Sequence, residues 1–400
     1  MAGGKLTRIF AGLMTIGLLA VSPALAGELQ VSTIDGRSFK VESLQVTSNG
    51  KLSAAGLPAE LTLDDLQGVV VSGANVVAPK SPLAIDLRPQ GRLLVEDLEY
   101  ANEKLKFKWL DRDVTLSLEP IAAVRFDPAA KNDIFEKTFA APTADLDTIF
   151  FVGEERKVDS LKGLVESLGK DGLAFSWENQ PRKLNRDVIW GIVFAGTVRP
   201  ERAAAVVKMR DGSQLFGKIR AADEQKITFE LEGGVLDLLW ADVVTLDCRS
   251  SRVAFLSDLK PVDEEHRPLL AQPRPWQRDK SAAGKPLRLG ERAFAKGIGT
   301  HSYTRLTFDA AGKFDQLVGI VGLDPLAAGK GDCIVVVQGD GSPLFSQRVR
   351  GNDTFDLQVN VRGVKQVTLT VEAGEGLDLA DFVNWCDLRF LRQPERNSKP

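Results

Sequence analysis

The chain has 400 residues, 44% of them hydrophobic and 26% charged, which is enough for two or three domains with cores of their own. A formal charge of −3 argues against a nucleic-acid binder, which usually carries a basic face. No run of like charges stands out, so charge by itself favours no partner.

The chain opens on Lys5 and Arg8, an apolar stretch from Ile9 to Val21, Pro23, and then Ala24-Leu25-Ala26 before Gly27. Basic start, apolar middle and small residues at the cleavage site are the layout of a cleavable secretory signal, expected at residues 1–26. The stretch is short for a bilayer span, and no later segment is long and apolar enough to supply one. The sequence therefore predicts an exported protein with no membrane span after cleavage, whether periplasmic, cell-surface or extracellular. Cys248, Cys333 and Cys386 are the three cysteines. Export would permit one disulfide among them, and none has the spacing of a redox or zinc motif.

From Glu28 to about Arg249 the apolar residues alternate over short stretches broken by turn signals such as Asp35-Gly36 and Asp211-Gly212. An eleven-residue pattern recurs, beginning at Leu61, Leu116, Leu184 and Leu236, with Arg186 standing at an apolar position of the third copy. Repetition predicts an array of related units near 27–73, 82–128, 147–196 and 204–249. Five short strands with a helical turn before the last suggest tandem small β-barrels of the SH3 or Sm type, with one larger β-sandwich as the alternative. Trp190 and Trp240 fall in the same short turn of their units, which suggests packing between neighbours. Trp109 and Trp177 are expected in barrel cores. The prolines of residues 251–290 suit a connector, and Trp276 suggests that this connector packs on the C-terminal domain. A polar tail closes the chain at 393–400.

Residues 253–392 resemble the NPCBM family of carbohydrate-binding modules. Phe255-Leu-Ser-Asp-Leu259 with Trp276 resembles its opening segment, and Phe294-Ala-Lys-Gly-Ile-Gly-Thr-His-Ser302 matches its most characteristic motif. Phe314 to Asp324, Gly331 to Gly341 and Val359 to Gly374 come next in the family's order, and Asp381-Phe-Val-Asn-Trp-Cys-Asp387 matches its closing motif. The resemblance implies a galactose-binding-like jelly-roll β-sandwich over 291–392 that is not itself catalytic. Alternating strands at 306–308, 334–337, 355–361 and 367–371 agree with an all-β chain. Phe382 and Asn384 stand where the family has His and Asp, which weakens the inference of sugar binding at that edge.

His301, Asp324, Asp340 and Trp385 are the candidate carbohydrate-binding residues. His301 either bonds a sugar hydroxyl or fixes its turn, and Trp385 has the apolar context of a core residue. Asp378, Asp381 and Asp387 could together hold a structural calcium, since a hard cation wants oxygen ligands; capping of turns is the competing role. No other cofactor is implied. No nucleophile motif accompanies His301 or His266, and no paired-carboxylate motif is recognisable, so no catalytic residue is assigned. The expected function is an exported, non-catalytic carbohydrate-binding protein whose partner is a polysaccharide or other glycan, with envelope proteins as candidate partners of the N-terminal repeats. The rivals are a structural or adhesive envelope protein whose sandwich binds protein, and a hydrolase with an unrecognised site in the N-terminal half.

Overall fold

The computed structural model describes residues 27–393 apart from 78, 80–82, 154, 197–203 and 268–274. The expected leader at 1–26, two connector prolines (Pro268 and Pro273) and all but the first residue of the expected tail lie outside the described residues. The described part is almost wholly β-structure, with one α-helix, Asp133–Ala140. Among the described residues no helix is long and apolar enough to cross a membrane.

Local alternation makes the strands. Lys104–Trp109 buries Leu105, Phe107 and Trp109 and exposes the three lysines between them. It turns through Leu110-Asp111, both with positive φ, into Arg112–Ser117. Two such residues in succession give the primed turn whose twist suits a hairpin.

The expected tandem barrels do not form. The twenty strands between Leu29 and Cys248 are one hydrogen-bonded network, in which strands of one unit pair with strands of another. Among the described residues no strand pairing joins the fourth strand of a unit to its fifth, so no unit closes on itself. Instead the fifth strands pair with each other: Leu66–Val71 with Val243–Cys248, and Ile121–Arg125 with Ile189–Val193. Val69 faces Leu246 in the first pair and Val124 faces Ile192 in the second. All four are the fourth residue of their strand, so each pair is related by a local twofold axis. The second strands of units two and three meet as well, Ala101 with Ser167, and Ala222, ending the second strand of unit four, pairs with Val46 in the short third strand Gln45–Val46 of unit one. Units one and four thus form one pair, and units two and three another.

A third twofold joins the pairs. Gln214 of unit four lies opposite Arg92 of unit two, and Leu215 opposite Gly91. Trp109 of unit two reaches across, its Nε1 donating to Asp211 Oδ2 at 2.8 Å and to Ser213 Oγ at 3.2 Å. In return Ser117 Oγ donates to the carbonyl of Gly233 at 3.2 Å. One apolar core runs through all four units, from Leu29 to Leu246.

Two departures from the repeat have local explanations. Arg186 donates to the carbonyls of Leu98 and Gly169 and lies over the Phe126 ring, so the misfit residue ties unit three to unit two. The helix Asp133–Ala140 is capped by Asn132, whose Oδ1 accepts from the amides of Ile134 and Phe135. It seats Phe135 on Gly191, where a Cβ would stand 2.7 Å from the ring. Arg125 lies beneath, bonded to Asp86 and Glu136 at 2.5 Å each.

The C-terminal part is a β-sandwich. A six-stranded sheet runs Gln277–Arg278, Gly297–His301, Phe382–Leu391, Gln316–Leu323, Thr354–Asn360, with Val253–Phe255 on the far end of Phe382–Leu391. A five-stranded sheet runs Asp263–His266, Thr304–Asp309, Gln366–Ala373, Asp332–Gly339, Ser342–Arg350. The two share a core of their own around Trp385, Phe308, Phe390 and Val335. A small hairpin, Leu287–Leu289 with Arg292–Phe294, covers Cys386 on the outer face of the larger sheet. Trp276 packs against the sandwich core.

The sandwich rests on unit one, the unit farthest from it in sequence. Ile34 packs with Val318, Leu391 and Val253. Arg389 Nε donates to the Ile34 carbonyl at 2.9 Å, and Arg252 meets Asp65 at 2.5 Å.

Candidate functional site

Antiparallel pairing collects several singled-out residues at one end of the sandwich. His301 ends its strand opposite Phe382, where the closing strand begins, and Leu323 ends its own opposite Val383. The chain then turns through Asp324–Gly331 on one side and Gly374–Asp381 on the other, so His301, Asp324, Asp378 and Asp381 share this end.

Each has a position that its surroundings explain. Asp324 caps the turn after it, its Oδ1 accepting from Leu326 N at 2.8 Å, while Oδ2 accepts from Asn384 Nδ2 at 2.7 Å. Asp381 accepts from Ser302 Oγ and, at 2.9 Å, from the amide of Asp332. Burial pushes the Asp381 carboxyl up, and those two bonds offset only part of the rise. The His301 side chain is buried, its ring T-shaped to that of Phe382 with the centroids 5.1 Å apart. Asp378 is fully buried between these loops. Trp385 lies deeper, fully buried in the core, with Nε1 donating to Thr300 Oγ1 at 3.0 Å.

Asp340 and Asp387 lie elsewhere. Asp340 sits at the opposite end, in the exposed hairpin turn Asp340-Gly341, and accepts from the amides of Lys365 and Gln366. Asp387 is at an irregularity in the closing strand, with positive φ and its amide donating to the Lys296 carbonyl. Burial raises its carboxyl, against the opposing pull of Arg389 and Arg292. Asp378 and Asp381 are therefore neighbours, while Asp387 stands six residues along the strand from Asp381. Among the described residues no three His, Cys, Asp or Glu side chains gather as a metal site.

The cysteines are free. Burial pushes the Cys248 thiol up to about 12, and those of Cys333 and Cys386 higher.

A different set of residues faces solvent at this end. Leu326, Leu377 and Leu379 are exposed on the two loops. Beside them Asp332 takes Arg348 in a two-pronged pair at 2.7 and 2.6 Å, with Arg350 at 3.1 Å, and Glu375 bridges both arginines. The Arg348 guanidinium holds the Asp332 carboxyl far below the usual range. Tyr303 and His266 are half-buried nearby, His266 Nδ1 lying 2.9 Å from Thr304 Oγ1. None of these was singled out as a binding residue from sequence. Arg348 and Arg350 alternate along an edge strand, the one signal that could have marked them as sharing a face.

Residues 252–391 match the NPCBM/NEW2 domain. A protein of Renibacterium salmoninarum named "Putative endo-alpha-N-acetylgalactosaminidase" is 26% identical over 110 residues, 27% of this chain. The chain spans 7% of that relative's length. Among solved structures, CBM51 from Clostridium perfringens GH95, in complex with methyl-galactose, is 22% identical over 34% of this chain and 99% of its own, with a TM-score of 0.32. CBM51-2 with the INT domains of Clostridium perfringens ZmpB, in complex with GlcNAc, is 24% identical over 42% of this chain and 36% of its own, with a TM-score of 0.33.

Proposed function

From a chain that carries a C-terminal NPCBM-type carbohydrate-binding module, we propose that this is an exported, non-catalytic protein that binds a glycan through that module. The match of residues 252–391 to the NPCBM/NEW2 domain carries the reading. The loop end of the sandwich supports it with a division of labour. Asp324 and Asp381 are occupied in holding the loops, so they make the frame and not the contact. Contact falls to the exposed leucines, Arg348, Arg350 and Glu375, a mixture of apolar surface and hydrogen-bonding groups suited to the faces and hydroxyls of a sugar. The four-unit body carries and orients the module.

The test is a glycan panel probed with residues 27–393, including galactosides and N-acetylglucosamine because relatives hold those sugars. Binding that falls at least about tenfold on Arg348→Ala supports the reading. Failure to bind any glycan, together with specific retention of one envelope protein, would replace it with the adhesive reading, which the exposed Leu326, Leu377 and Leu379 favour. Glycosidase activity in residues 27–250 would overturn the non-catalytic part.

A further inference from the structure

The N-terminal units are joined by repeated twofold contacts, and the last unit of the series lacks one of them. Leu93, Leu215, Leu161 and Phe39 are equivalent residues of the four second strands. Each faces the first-strand residue that pairs with the fourth residue of its fifth strand. Where units two and four meet, Leu93 and Leu215 are fully buried. In unit three Leu161 is only half-buried, and Asp159 and Ser160 before it are exposed.

The third strands repeat the contrast. Trp109, Trp177 and Leu231 each close the same hairpin in their units. Trp109 is 1% exposed against unit four and Leu231 is 4% exposed, whereas Trp177 is 40% exposed. Trp177, expected in a barrel core, is thus the counterpart of a junction residue with no unit facing it among the described residues. Phe39 of unit one is half-buried too, but the sandwich already holds the adjoining turn at Ile34. Unit three is therefore the open end of the series.

We propose that this end is a self-association surface, at which a second copy of the chain repeats the junction between units two and four. Its axis would pass between the two Ser160 residues, the counterparts of Gln214 and Arg92. Each Trp177 would then lie against the partner's turn before Val158. Asp159, the counterpart of Ser213, is there to accept from the indole as Ser213 accepts from Trp109. The contact is isologous and closes as a dimer, so it cannot run on into a filament.

Sedimentation velocity on residues 27–393 over a wide concentration range should show a monomer–dimer equilibrium. Trp177→Ala and Leu161→Lys should each weaken it about thirtyfold, as loss of a buried interface anchor does, and Trp177→Ala should leave the far-ultraviolet circular dichroism of the dilute monomer unchanged. Ser160→Cys should give a disulfide-linked dimer under mild oxidation, because a residue on a twofold axis meets its own copy. Lys183→Cys, exposed on the same unit but off the axis, should not. A monomer at all concentrations, a dimer indifferent to Trp177→Ala, or Ser160→Cys that fails to cross-link would each overturn the proposal.

Discussion

The two halves of this molecule are built from similar strands but make their cores in opposite ways. The sandwich encloses its core between two facing sheets of its own. No N-terminal unit does so: the core is common to all four, and the strands that would close one unit pair with its neighbour instead. A short unit that does not wrap its own apolar face must borrow a partner, the logic of repeat proteins generally. Damage in the shared core should therefore spread, and damage in the sandwich should stay local.

The sharpest test pairs two tryptophans. Trp109→Ala and Trp385→Ala should each cost about 3–5 kcal/mol. Hydrogen exchange should show the first loosening all four units and the second only residues 252–391. Local loosening by Trp109→Ala would break the contrast.

Asn384→Asp should cost less, about 1.5–3 kcal/mol at neutral pH. It replaces the amide that donates to Asp324 with a second buried carboxylate. Like charges at that distance favour uptake of a proton, so the loss should shrink as pH falls. Urea unfolding of the sandwich at neutral and mildly acidic pH checks both parts.

Arg348→Met should have the smallest effect and a definite pH signature. Asp332 is held below its ordinary value of 3.8, with the Arg348 pair the largest cause. The stability it contributes is complete above the unfolded carboxylate's range and is lost as pH falls through the lower folded value. Wild type and variant should differ at neutral pH and converge in strong acid, as followed by thermal melts across the acid range. A gap that persists in strong acid would mean that Arg348 acts by packing and not by charge.

The sandwich was legible because its motifs are local: Phe294 to Ser302 and Asp381 to Asp387 become adjacent strands, paired from Gly297–Cys386 to His301–Phe382. The repeats were legible only as alternation. Pairing between units lies in strand edges, which leave no mark in a pattern of faces, and that is why closed barrels were expected. The same blindness misplaced the fourth copy. The short helical turn places Val243 where Leu66 and Ile189 stand, so that copy begins at Leu238 and not at Leu236. Trp190 and Trp240 are then not equivalent: Trp190 packs on Phe135 and Phe150, while Trp240 opens the turn of its own unit. The helix Asp133–Ala140 had a sequence signal in Asn132 and the Phe135–Phe139 spacing, but it is short. At the site, sequence proximity grouped Asp387 with Asp381, although an extended strand carries residues apart at about 3.3 Å each.

The docking of the sandwich on unit one has a mechanical consequence. A pull on a sugar held by the sandwich, resisted at residue 27, would not run through the array in chain order. It would pass from Arg389 and Arg252 straight into Ile34 and Asp65. Units two, three and four would hang beside that line of tension, slack until the contact at unit one gives way.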